Sequence, residues 1–94
     1  MGLSLEESLR LAVAALMQAT GDSQRAVAAV LGLTQTQVSR RQSGATSWTL
    51  RDVDVLAGYY EIAALDLLAG PTRACETLPA ARRRAAHAEK RAVR

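Results

Sequence analysis

Residues 23–44, SQRAVAAVLGLTQTQVSRRQSG, decide the fold. Their pattern predicts two short helices joined by a tight turn. In the first, Val27, Val30 and Leu31 fall at i, i+3 and i+4, the spacing of one helix face. Gly32 follows and tolerates the left-handed conformation that ends many helices. Leu33 can then fold back onto the core. Thr34 is a natural N-cap, and Gln37, three residues on, completes a capping box. The second helix runs through Val38 and stops at Gly44.

With Val38 taken as inward and about 100° per residue, Thr36, Arg40 and Ser43 point outward, flanked by Gln37 and Ser39. Short hydroxyls, amides and a guanidinium are the groups that hydrogen-bond base edges in a major groove. Gln pairs bidentately with adenine, Arg with guanine, and a Thr methyl sits against thymine. A merely solvated face more often carries Glu and Lys. No acidic residue occurs between Asp22 and Asp52, whereas Arg25, Arg40, Arg41 and Arg51 do. A local excess of positive charge without opposing carboxylates suits a polyphosphate partner.

Ser23, Gln24, Val27, Ala28, Leu31, Gly32, Leu33, Thr34, Val38, Ser39, Arg40 and Gly44 share one register without a gap. In these twelve positions the stretch resembles the helix-turn-helix domains of the Cro/CI phage-repressor and XRE-regulator type, the lambda-repressor-like family. The resemblance covers roughly Leu5 to Gly70 and leaves the last 24 residues unexplained. It implies an all-α, five-helix domain that regulates transcription, with Thr34–Ser43 as a recognition helix in the major groove of an operator in double-stranded DNA. Thr36, Gln37 and Arg40 are expected to read bases, with Gln35 joining them by the resemblance alone. Gln24, Arg25, Arg41, Ser43 and Thr46 are expected to hold phosphates and set register. Arg41 departs from the family, where its position is often apolar. Either it buries its stem and sends the guanidinium to a phosphate, or it caps carbonyls at the helix end.

The 94 residues allow one domain with a modest core. Hydrophobic residues make up 49% of the chain, but much of that is alanine and Phe is absent, so Leu and Val must fill the core. No apolar run is long enough for a transmembrane helix. The start, MGLSLEESLR, has two Glu and no basic leader region. Cys75 is alone, so no intrachain disulfide can form. A cytoplasmic protein is expected. Residues 1–70 hold five Arg and seven acidic residues, a balance of −2, while residues 71–94 hold six Arg, one Lys and two Glu, a balance of +5.

Ser4-Leu-Glu-Glu7 predicts a capping box opening the first helix. Leu5, Leu9, Ala12, Val13 and Leu16 share its inner face, and Gly21 ends it. Leu11, Ala14 and Ala15 lie off that face, as scattered surface residues or as a contact with the tail or a second subunit. After the two-helix unit, the loop Ala45–Trp48 carries hydroxyls that in a family member lie along the DNA backbone. Trp48 and Val53 stand at the positions of a hydrophobic staple around the Thr49 cap, which favours a structural role for Trp48. A fourth helix is expected over about Leu50 to Tyr60, with Val53, Leu56, Ala57 and Tyr60 inward, and a short fifth around Ala64 to Ala69 contributing Leu65 and Leu68. Gly70-Pro71 then predicts a break. The expected division is therefore a DNA-binding domain over 3–70 and a basic tail over 71–94. Thr77 and Pro79 could start a sixth helix reaching about Val93; the tail is otherwise frayed, a phosphate contact or a dimerisation arm.

Enzyme chemistry finds little support. His87 is the only histidine, no His lies near Cys75 in sequence, and no metal-ligand spacing occurs. No catalytic residue, metal, cofactor or small-molecule ligand is expected. The competing class is an antitoxin-type interaction module that binds a partner protein and its own operator, since the same fold serves both. A homodimer that is weak in solution and forms mainly on DNA is expected, through Leu65 and Leu67, through Leu11 and Ala15, or through the tail.

Overall fold

The structure, a computed structural model, describes residues 2–83. Six α-helices occur among the described residues: α1 (Leu5–Thr20), α2 (Gln24–Leu31), α3 (Gln35–Ser43), α4 (Leu50–Tyr60), α5 (Ala64–Leu68) and α6 (Pro71–Thr77). A single 3-10 turn, Ala80–Arg82, follows, and no strand occurs among these residues.

Local chemistry sets the helix starts. Ser4, Ser23, Thr34 and Thr49 are extended residues whose hydroxyls accept from the backbone N–H three positions on. At Ser4, Thr34 and Thr49 the side chain of Glu7, Gln37 and Asp52 reaches back to the cap N–H, closing a capping box. The Ser4 hydrogen bonds to Glu7 hold its carboxyl below the usual range, with a smaller contribution from Arg10. Gly32 is left-handed at φ 71°, and the Leu33 N–H bonds back to the Ala28 carbonyl at 2.9 Å. This turn reverses the chain between α2 and α3.

The core gathers Val13 and Leu16 of α1, Val27 and Leu31 of α2, Val38 of α3, Leu56 and Tyr60 of α4, and Leu67 of α5. Trp48 and Val53 both join it, as the staple requires. Burial, and then the nearby Asp22 carboxylate, push the Tyr60 phenol well above the ordinary tyrosine range. Neither the Tyr60 hydroxyl nor Asp22 Oδ2 has a hydrogen-bond partner of good geometry.

Two expectations need correction, and two helix boundaries carry more than the sequence signalled. Leu5 is 63% exposed; it borders a shallow apolar hollow of about 150 Å³ with Leu9, Trp48, Leu50, Val53 and Leu68. Within α5 the core residue is Leu67 at 0% exposure, while Leu65 is 77% exposed and Leu68 half-buried. The fourth helix ends without glycine: Glu61 takes the left-handed conformation at φ 61°, and the Ile62 N–H closes onto the Ala57 carbonyl at 3.0 Å. Gly70-Pro71 is the expected break after α5, and it is also a helix start. Gly70 at φ 111° turns the chain, and Pro71, with φ already suited to a helix, occupies the first turn of α6.

Helix α6 lies alongside α1 and buries Ala74, with Leu78 beyond it. The Arg82 guanidinium then stacks over Tyr59 at 4.6 Å from the ring centroid and donates to the Tyr59 carbonyl at 3.2 Å. Arg83 donates to the Cys75 carbonyl at 2.7 Å. The packed unit therefore continues past residue 70, and the start of the expected tail is part of it. Thr77 ends α6 instead of starting a helix. Residues 84–94, the last part of that expected helix and of the basic tail, lie outside the described residues.

Candidate nucleic-acid interface

Helix α3 gives one apolar side chain to the core. Val38 is fully buried, whereas Gln35, Thr36, Gln37, Ser39, Arg40 and Ser43 are exposed. The reason is compositional: Val38 is the only apolar residue of QTQVSRRQS, so burial fixes the rotation of the helix and turns its polar side outward.

The structure sorts the expected base readers into free and occupied side chains. Thr36 and Arg40 make no side-chain hydrogen bond or ion pair among the described residues. Gln35, the first residue of α3, is exposed and its Nε2 donates to Gln24 Oε1 at 3.4 Å. Gln37 is different. Its Oε1 accepts from the Thr34 N–H at 2.8 Å and from Thr34 Oγ1 at 3.3 Å. A bidentate pairing of Gln37 with adenine would need that oxygen, so it would open the capping box. Gln37 is a helix cap first, and only its Nε2 is left for a base.

The expected phosphate contacts divide in the same way. Arg25 is exposed, pairs with no carboxylate among the described residues, and shares a shallow surface hollow with Ser23, Gln24 and Gln35. Gln24 is half-buried, and its Nε2 donates to Gln42 Oε1 at 2.8 Å. Ser43 donates to the Arg40 carbonyl at 3.0 Å and accepts from the Ala45 N–H at 3.3 Å, so its hydroxyl closes the end of α3. Thr46 is half-buried and its N–H bonds to the Arg40 carbonyl at 3.1 Å.

Arg41 meets a carboxylate within the fold, a partner that neither sequence alternative named. Its Nε donates to Asp52 Oδ2 at 2.8 Å, with side-chain exposures of 13% and 4%. Asp52 Oδ2 also accepts from the Thr49 N–H at 3.0 Å. One carboxylate thus caps α4 and anchors the last turn of α3 through the Arg41 guanidinium. A buried carboxylate needs such partners because the charge has left water.

Two positions carry more than their sequence signals. Arg10 of α1 lays its guanidinium against Gly44, 3.0 Å from where a Cβ would stand, and borders a narrow cleft with Glu6, Arg41, Thr46 and Ser47. Ser47 bonds to Glu6 at 2.9 Å, which ties the loop after α3 to the start of α1. Gln42, the second, donates from Nε2 to Met17 Sδ at 3.2 Å. Gln35 and Gln42 are seven residues apart and so share a helix side, the one pattern in the sequence that could have singled it out. No group of three or more metal-ligating side chains occurs among the described residues. Among the same residues no helix is long and apolar enough to cross a membrane.

A protein-family model described as the BetR domain matches residues 6–93 of this chain. No curated protein and no solved structure matches it.

Proposed function

We propose, for a chain that belongs to the BetR domain family, a sequence-specific double-stranded DNA-binding function in which α2 and α3 act as a lambda-repressor-like helix-turn-helix unit. The observation that supports this best is the exposed side of α3. Val38 is the one buried residue of the helix, and Gln35, Thr36 and Arg40 stand outward with no carboxylate paired to them among the described residues. In this reading Arg40 and Gln35 read base edges and Thr36 packs a methyl against thymine. Arg25 and Gln24 approach phosphates from the start of α2, where backbone N–H groups and the helix dipole favour an anion. The protein binds rather than catalyses. It acts in the cytoplasm as a transcriptional regulator by occupying an operator.

One recognition helix covers few base pairs, so useful discrimination needs two copies on an inverted repeat, with half-sites ~34–36 Å apart. Leu3, Leu5, Leu11, Leu50 and Leu65 are the exposed large apolar side chains among the described residues. Leu5 and Leu50 lie around one small apolar hollow, and this modest surface supports a dimer that is weak without DNA. Selection of bound sites from a random DNA pool tests the whole reading. The expected result is an inverted-repeat logo, and Arg40→Ala should cost about 1–3 kcal/mol on the best site and flatten one base position per half-site. Enrichment of no sequence by the wild-type protein would refute the function. An unchanged Arg40→Ala logo would reduce Arg40 to a phosphate contact.

A further inference from the structure

Three glutamines and a methionine form a directed chain across the α1–α2–α3 junction. Gln42 Nε2 donates to Met17 Sδ at 3.2 Å, Gln24 Nε2 donates to Gln42 Oε1 at 2.8 Å, and Gln35 Nε2 donates to Gln24 Oε1 at 3.4 Å. We propose that Gln42 is a positioning residue that sets the polarity of the Gln35 amide, and so which base Gln35 prefers. This rests on the DNA-binding reading of α3 and adds to it a residue that never touches the DNA.

The polarity follows from the far end of the chain. A thioether sulfur can only accept, so the Gln42 amide must turn its NH₂ group to Met17 and its oxygen to Gln24. Gln24 must then present NH₂ to Gln42 and oxygen to Gln35. Gln35 in turn is held with NH₂ toward Gln24. One Nε2 proton and the whole of Oε1 remain for a ligand, the donor and acceptor that an adenine edge needs. An isolated exposed glutamine exchanges its O and N at almost no cost, because the two ends have nearly the same shape. Here the exchange would set oxygen against oxygen at Gln24. Met17 is buried, and Gln42 and Gln24 are half-buried, so the anchoring end is held while the reading end stays exposed.

The test compares site-selection logos of the full chain, with folding of every variant checked by thermal melting. Gln35→Ala first identifies the base pair that Gln35 reads. Gln42→Lys offers donors only, which forces the Gln24 amide, and then the Gln35 amide, to reverse. Preference at that base pair should fall about fivefold or more, with the other positions unchanged. The conservative variant Gln42→Glu can still accept from Gln24 and should retain the preference. If Gln42→Lys does not fold, Met17→Leu keeps the volume and removes the sulfur acceptor. It should weaken the preference at the same position. A Gln35-dependent position that neither Gln42→Lys nor Met17→Leu alters would overturn the relay and leave the DNA reading intact. Equal loss in Gln42→Glu and Gln42→Lys would also overturn it. A wild-type protein that enriches no sequence overturns both readings together.

Discussion

Arg41 offers the sharpest contest between a DNA contact and a structural one. Arg41→Met keeps most of the buried stem and removes the guanidinium. It leaves Asp52, whose side chain is 4% exposed, with the Thr49 N–H at 3.0 Å as its remaining hydrogen-bond donor. Removing one partner of a buried pair costs about 3–5 kcal/mol. The surviving Thr49 bond puts this case near the lower end, about 3 kcal/mol. That is a sizeable share of the roughly 5–15 kcal/mol that holds a domain together. At about 4–8 °C per kcal/mol for a domain of this size, the melting temperature should fall by roughly 12–24 °C. Asp52→Asn should cost less, because Arg41 is the more exposed partner and can turn to water. The double variant should recover much of the loss, since the buried charge and its counter-charge then leave together. Urea denaturation of the four proteins closes the cycle. In parallel, the slope of log K for DNA against log salt should be unchanged in Arg41→Met, measured below its melting range. A coupling energy under about 0.5 kcal/mol, or a slope shallower by about 0.9, would show that Arg41 serves a phosphate after all.

Two further outcomes follow from the packing. Leu67→Ala should cost about 2–5 kcal/mol in urea denaturation, while Leu65→Ala should stay within about 0.5 kcal/mol, because the first empties core volume and the second trims an exposed side chain. Tyr60 gives a pH dependence. Its phenol is raised above the ordinary value of 10, so an unfolded chain ionises there while the folded one does not. The stability it contributes is present below pH 10 and is lost as pH rises through the raised folded value. Melting temperatures at about pH 9 and about pH 11 should therefore diverge more in the wild type than in Tyr60→Phe, and equal divergence would refute this assignment.

The features legible in the chain were those whose partners lie three or four residues away. The Ser4, Thr34 and Thr49 capping boxes and the left-handed Gly21, Gly32 and Gly44 close bonds inside a single turn. A local pattern therefore determines them. The same locality made α3 readable, since one apolar side chain among eight polar ones leaves only one way to rotate the helix.

What the fold alone decided lies at longer range or at weaker periodicity. Helix α5 has five residues, too few for a 3.6-residue period to fix its phase, and its packing against α1 and α4 selected Leu67 over Leu65. Gly70-Pro71 suits a break as well as a first turn, and it was the exposed flank of α1 that gave α6 a surface to cover. Glu61 accepts a left-handed backbone that no glycine announced, because closing α4 there brings Ile62 against the core. The roles of Arg41 and Gln42 depend on partners 11 and 25 residues away, Asp52 and Met17. In an extended chain nothing brings an arginine on one helix to the cap of the next, or an amide to a thioether two helices earlier. Residue types and their spacing thus determined the helices and the outward face of α3. Burial, which makes an unpartnered charge or amide costly, decided which of its polar side chains remain free to meet a ligand.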